Sequence, residues 1–315
     1  MKSEWEITLR DARTGAIKQQ IPWHKNTILD VGMNAILTMS KQIARDSTYG
    51  EGFFPYIAVG SGGTEPSTTD TGLETQVLRK LGTQADSVNY NITDPASPYC
   101  IIGVTFIESE ANGDLREVGL CTAASGGTFF NRDLFKDQGG NPATITKTSN
   151  DLLTVKCKIT AKRVSETPSS YDVTASDSTV HAVKSIVTNA GLVAFLVIRS
   201  GPWNIPPTLR TGTGATDPDP ADTGIQVNQM VASVSGVWGA AHTGPDGGFY
   251  REMGLLANPS DCNQNIAEVC PGWGQWPVYD NNNQPFHSRF TFSPALAKTS
   301  AKKLILTMRV TLSRL

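Results

Sequence analysis

Two Asp-Thr-Gly triplets, Asp70-Thr71-Gly72 and Asp222-Thr223-Gly224, are the residues of this 315-residue chain that most invite a chemical reading. Two related lobes that each carry the triplet are the outline of a two-lobed aspartic protease, in which two carboxylates share one proton at the lobe interface. Each such aspartate has to follow a buried apolar strand on a tight, supported loop. Here Asp70 follows Glu65-Pro66-Ser67-Thr68-Thr69 and Asp222 follows Asp217-Pro218-Asp219-Pro220-Ala221, both polar and proline-containing. These surroundings suit a capping role instead, with a short carboxylate taking a backbone N–H of its own segment.

Other clusters are weighed the same way. Glu108, Glu110, Asp114 and Glu117 bring carboxylates together as a glycosidase would. Yet Arg116-Glu117-Val118-Gly119-Leu120 has a counterpart in Arg251-Glu252-Met253-Gly254-Leu255. A pair present in both halves reads more simply as a fold element. Strand alternation puts Arg116 and Glu117 on opposite faces, so their partners lie elsewhere. Glu117 is expected to meet Arg132, and Glu252 to meet Arg289, as buried bidentate pairs. The Gly60–Gly63 loop lacks the Gly-Lys-Ser/Thr of a phosphate cradle and reads as a turn. His24, His181, His242 and His287 are scattered, and the five cysteines contain no CxxC spacing. No catalytic residue, cofactor or metal is expected. An odd cysteine count argues against a disulfide framework, with a Cys262–Cys270 bridge left open.

The strongest organising signal is an internal repeat. Gly60-Ser61-Gly62-Gly63-Thr64-Glu65-Pro66, leading to Asp70-Thr71-Gly72-Leu73, recurs as Gly212-Thr213-Gly214-Ala215-Thr216-Asp217-Pro218, leading to Asp222-Thr223-Gly224-Ile225, an offset of 152 residues. Then come the two Arg-Glu blocks. Asn131-Arg132-Asp133-Leu134-Phe135 pairs with Ser288-Arg289-Phe290-Thr291-Phe292, and Lys147-Thr148-Ser149 with Lys298-Thr299-Ser300. The order is kept throughout.

The elements that would position these residues are mostly strands. Leu29, Met33, Ile36 and Leu37 fall on one helical face, capped by Asn26 or Thr27, and Val187, Gly191, Leu192, Phe195 and Leu196 take that role in the second half. Tyr56–Val59 and Ile101–Ile107 read as strands, the latter joined to Leu115–Leu120 by a hairpin turn at Asn112-Gly113. Leu153, Val155, Cys157 and Ile159 alternate with polar residues, as do Leu304, Leu306, Met308 and Val310. The expected fold is mainly β: two tandem homologous β-sandwich domains, each with a short N-terminal helix. The first spans 1–164, an exposed linker 165–180, and the second 181–315. An insertion near 258–284 carries Trp273, Trp276 and Tyr279 as an aromatic surface loop, a favoured type of contact surface.

Bulk composition narrows the partners. The net charge of −2 gives no basic face for nucleic acid, so none is expected as a partner. The longest apolar run, Leu192–Ile198, is too short to span a membrane as a helix, and Met1–Trp5 is no secretion signal, so cytoplasmic synthesis is expected.

Together the ordered motifs resemble modules of tailed-bacteriophage structural proteins, found in tail and fibre-attachment components. They are the helix with Gly32, then Ile57-Ala58-Val59-Gly60-Ser61-Gly62 with its Thr-Pro-Asp-Thr-Gly-Leu tail, Glu110-Ala111-Asn112-Gly113, Arg116–Leu120, Phe130-Asn131-Arg132 and Lys147. The resemblance covers nearly all of the first half and, with more drift, the second. It implies a non-enzymatic virion protein, assembled in the host cytoplasm, homo-oligomeric and bound to other tail, fibre or capsid subunits. A capsid decoration protein is the nearest alternative, and the two-lobed protease a more distant one.

Overall fold

The computed structural model describes the chain except residues 39–53, 83–89, 92, 95, 188–191, 193–206, 220, 223–226, 232–236, 243–248 and 274–287. It is mainly β, with several separate antiparallel sheets. Two compact units divide it: Met1–Asn91, Tyr99–Thr160 and Arg314–Leu315 form unit 1, and Ile92–Pro98 with Ala161–Ser313 form unit 2.

Unit 1 contains β1 (Lys2–Asp11), β2 (Ile17–Lys25), β3 (Thr27–Ile28), α1 (Asp30–Thr38), β4 (Tyr56–Gly60), β5 (Gln76–Leu81), β6 (Tyr90–Asn91) and β7 (Tyr99–Phe106). It continues with β8 (Gly113–Leu115), β9 (Glu117–Cys121), β10 (Phe129–Leu134), β11 (Ile145–Lys147) and β12 (Asp151–Thr160). One five-stranded sheet runs β2-β1-β12-β7-β6 and a second β3-β10-β9-β4-β5, with β11-β8 as a two-stranded ladder. The alternating Leu153, Val155, Cys157 and Ile159 are buried as their period requires, and so are Trp5, Ile7 and Leu9 on the neighbouring strand. Asn131 of β10 ties the two sheets together. Its Nδ2 donates to Ser3 Oγ at 2.7 Å and to Cys157 Sγ at 3.4 Å, while its Oδ1 accepts Leu120 N at 2.9 Å.

The expected apolar face of α1 is buried through Met33, Ile36 and Leu37, and Leu29, placed just before the helix, is buried with them. Its cap is placed differently: Asn26 and Thr27 lie before the helix, Thr27 in β3, and Asp30 supplies the negative charge of the first turn. Gly32 is explained by contact, since a Cβ there would lie 2.2 Å from the Phe130 carbonyl oxygen. The expected hairpin across Asn112-Gly113 does not form. β7 belongs to the first sheet and β9 to the second, so the turn carries the chain from one layer to the other.

Unit 2 contains β13 (Ser169–Thr174), β14 (Val180–Val187), β15 (Pro207–Gly212), β16 (Met230–Val231), β17 (Val237–His242), β18 (Phe249–Ala257), β19 (Asn265–Trp273), β20 (Ser288–Ala297) and β21 (Leu304–Leu312). A six-stranded sheet runs β13-β14-β20-β19-β15-β16 and a three-stranded sheet β17-β18-β21. The stretch read as a linker, 165–180, carries β13 and the start of β14, a hairpin paired from Ser169↔Ser185 to Thr174↔Val180. It is exposed, as its Ser-Thr-Asp content requires, but it belongs to unit 2. Val187, expected in a helix, ends β14, and most of that proposed helix lies outside the described residues. Much of the expected 258–284 loop is also regular, because β19 runs through it.

Candidate functional site

Each unit holds one buried arginine–carboxylate cluster under its Gly-Thr-Pro loop. In unit 1 the loop leaves β4 at Gly60 and returns into β5 at Gln76. Glu117, at the start of the adjacent β9, points beneath it and is fully buried. Its Oε1 accepts the amides of Gly62 at 3.0 Å and Thr75 at 2.7 Å. Its Oε2 accepts the Glu74 amide at 3.0 Å and Arg132 Nε at 2.9 Å. Arg132 reaches over from β10, donating through Nη1 to Asp70 Oδ2 at 2.6 Å and through Nη2 to the Thr64 carbonyl at 3.0 Å. Asp70 in turn accepts the Ser67 amide at 3.0 Å, and Glu74 accepts the amides of Gly63 and Thr64.

The electrostatics follow from this wiring. Burial alone would lower the Arg132 pKa, but hydrogen bonds to Asp70 and Glu117 outweigh it and hold the guanidinium above its ordinary value. The carboxylate has four donors and the guanidinium three acceptor groups, so neither buried charge is left bare. Gly62 is glycine for space: a Cβ there would stand 2.4 Å from Glu117 Oε1.

Unit 2 repeats the carboxylate–guanidinium–aspartate core of this arrangement, with different loop oxygens on the arginine. Glu268 Oε1 accepts Gly214 N and Val227 N, each at 3.0 Å, and Oε2 accepts Arg289 Nε at 3.0 Å. Arg289 Nη1 donates to Asp222 Oδ2 at 2.9 Å and to the Asp217 carbonyl at 3.2 Å, and Nη2 to Thr216 Oγ1 at 3.1 Å. Asp222 accepts Asp219 N at 2.7 Å, and a Cβ on Gly214 would lie 2.5 Å from Glu268 Oε1.

The carboxylate partner of Arg289 is therefore Glu268, and the expected Glu252–Arg289 pair is corrected. Glu252 sits on β18 and pairs at 2.9 Å with Arg309, both of them half-exposed. Arg309 also stacks 3.8 Å from the Tyr250 ring centroid. The five-residue resemblance of Arg251–Leu255 to Arg116–Leu120 masked the true register. Glu117 to Glu268 and Lys147 to Lys298 each keep an offset of 151, close to that of the glycine loops. Arg132 to Arg289 departs from it, because 21 residues separate Glu268 from Arg289 against 15 in unit 1. That extra length falls after Trp273, in a stretch outside the described residues. Only Glu-Val survives of the first block, at Glu268-Val269, and the constant offset was the signal that could have found it.

A second shared device involves the lysines. Lys147 Nζ donates to the Ile107 carbonyl at 2.8 Å, Asn112 Oδ1 at 3.0 Å and the Thr148 carbonyl at 3.4 Å. Lys298 Nζ donates to the carbonyls of Asn258, Pro259 and Thr299 and to Asn263 Oδ1, at 2.9 to 3.3 Å. Each ammonium fixes a turn by satisfying carbonyls, and burial holds Lys147 below the ordinary lysine pKa.

No family model, curated protein or solved structure matches this chain.

The remaining sequence candidates are placed as follows. Asp70 and Asp222 each bind the arginine of their own unit through Oδ2. Arg116 is exposed at a small cleft of about 150 Å³ lined by Gly63, Leu134 and Pro142–Thr144. Arg251 is half-buried on β18, and burial lowers its pKa. The backbone of Trp273 ends β19 opposite Pro207, and Trp276 and Tyr279 lie outside the described residues. Cys100, Cys121, Cys157, Cys262 and Cys270 are all free and buried, and burial pushes the Cys157 thiol up to about 12. Among the described residues no group of three or more His, Cys, Asp or Glu side chains is placed to hold a metal.

Proposed function

We propose that the chain is a non-enzymatic structural protein of a tailed-bacteriophage particle, an adaptor in the tail, baseplate or fibre-attachment region. The observation that carries this reading is the use made of the shared residues. Gly62, Asp70, Glu117, Arg132 and Lys147 have counterparts in Gly214, Asp222, Glu268, Arg289 and Lys298, and each bonds to its own unit's loops. Internal duplication accounts for that pattern, and the retained positions serve architecture. A duplicated scaffold suits a particle, where one subunit can span two related positions or bridge a change of symmetry, and where a first contact raises the effective concentration of the second. The motif resemblance to phage tail modules points to the same setting.

The test is direct localisation. Particles are purified, the chain is counted by quantitative mass spectrometry, and its place is imaged with antibody. A tail adaptor gives tens of copies or fewer at the tail. Hundreds of copies on the shell would replace this reading with capsid decoration, and absence from particles would end it. Asp70→Asn and Asp222→Asn are expected to leave no proteolytic activity to lose.

A further inference from the structure

The two units differ at one sheet edge. In unit 1, β12 is paired on both sides: by β7 from Leu153 to Thr160, and by β1 over ten residues from Lys2↔Thr160 to Asp11↔Asp151. In unit 2, β21 pairs with β18 over nine residues, Phe249↔Leu312 to Ala257↔Leu304, with no register shift. Its other edge carries no strand among the described residues, and none of its residues makes a backbone hydrogen bond outside its own ladder there. Among the described residues, the hairpin strand that leads unit 2, β13, pairs only with β14.

A regular nine-residue edge is a template for another strand, and natural sheets blunt such edges with proline, bulges or inward charges. β21 has none of these between Leu304 and Leu312, and its one charged side chain, Arg309, is held by Glu252 of the neighbouring strand. Its outward face carries Ile305, which is 70% exposed, more than any other large apolar residue among the described ones except Val164.

The sequence of the strand is also self-complementary. Turned antiparallel on itself about Met308, it sets Leu304 opposite Leu312 and Leu306 opposite Val310 on the inner face. On the outer face it sets Ile305 opposite Thr311 and Thr307 opposite Arg309. Apolar residues meet on one face, and no like charges are opposed on the other. Arg309 pairs with Glu252 in its own unit, and both stay half-exposed.

We propose that β21 is a self-association edge. Two copies of the chain pair their β21 strands antiparallel about Met308, which joins the two three-stranded sheets into one six-stranded sheet with two-fold symmetry. Such an isologous contact closes on itself and uses one surface twice. The proposal does not depend on the virion reading, and localisation of the chain in a particle leaves it open to its own test.

The full-length chain is examined by sedimentation across a wide concentration range, with amide hydrogen exchange read on β21. The expected result is a reversible shift towards twice the 33.8 kDa monomer mass, accompanied by β21 protection that rises with concentration. Thr307→Lys opposes two symmetry-related Lys–Arg pairs and is expected to weaken the dimer about tenfold, whereas Thr307→Glu strengthens it. Position 307 is exposed, and thermal melts of both variants serve to check that they fold. A chain monomeric at every concentration would overturn the proposal. So would a dimer indifferent to both substitutions, or β21 protection independent of concentration, which is the signature of β13 closing on β21 within one chain.

Discussion

Replacing Glu117 by glutamine is the sharpest test of the register between the two units. The carboxylate is fully buried and accepts four hydrogen bonds, two on each oxygen. Glutamine has one acceptor oxygen and one amide nitrogen. Whichever way it turns, its NH₂ faces two donors, either the amides of Gly62 and Thr75 or the Glu74 amide and Arg132 Nε. Arg132 meanwhile loses one of its carboxylates. Removing one partner of a buried pair costs about 3–5 kcal/mol, and each unmet buried group about 1–3 kcal/mol, so about 4 kcal/mol is a fair centre for the combined change. For a unit of this size that is roughly an 8–16 °C fall in melting temperature.

Differential scanning calorimetry reads this directly. Glu268→Gln is expected to act similarly in unit 2, whereas Glu252→Gln, half-exposed with Arg309, is expected to cost under about 0.5 kcal/mol. A Glu117→Gln shift below about 2 °C, or a Glu252→Gln shift as large as that of Glu268→Gln, would refute the reasoning.

Three further outcomes are expected. Gly62→Ala places a methyl 2.4 Å from Glu117 Oε1 and should cost about 1–3 kcal/mol in chemical denaturation; a neutral result would mean that the loop moves freely away from Glu117. Lys147→Met leaves the Ile107 carbonyl and Asn112 Oδ1 without their ammonium donor, and a loss of about 2 kcal/mol together with faster amide exchange in the 107–112 turn is expected. Asp11 is held at about 2, first by the Thr14 amide and then by the Thr14 hydroxyl. Because that value lies below the unfolded one, the β1–β2 turn keeps its stabilisation above pH ~4 and loses it as the pH falls towards 2. Exchange of the Thr14 amide should show this dependence, and Asp11→Asn should abolish it.

The legible features were those fixed by local period and by pairs of residue types. The alternation of Leu153 to Ile159 announced a half-buried strand, and Leu29, Met33, Ile36 and Leu37 a helical face, because side-chain direction follows backbone period. Glu117 and Arg132 were legible as partners because a conserved order of charged and glycine residues in both halves asks for a shared cause. Sheet membership was harder. Asn112-Gly113 favours a turn, but the turn chemistry does not say whether the next strand pairs back or crosses to the other layer. β1 was legible but missed, since Trp5, Ile7 and Leu9 are buried and alternate with Glu6, Thr8 and Arg10 as a half-buried strand requires, whereas β2 buries Ile21 alone and shows no such period. Glu268 was missed because a local likeness at Arg251–Leu255 outweighed a constant spacing that needs the length change after Trp273 to be recognised.

The Gly-Thr-Pro loop of unit 1 is gripped from below by groups belonging to other strands. Its course is set by Glu117 and Arg132, through amides and carbonyls that any residue supplies. The outward side chains of Glu65, Thr68 and Thr69 are exposed. Evolution can therefore rewrite that outer skin without remaking the fold beneath, and relatives of this chain would be expected to vary most at those positions while Gly62, Glu117 and Arg132 stay fixed.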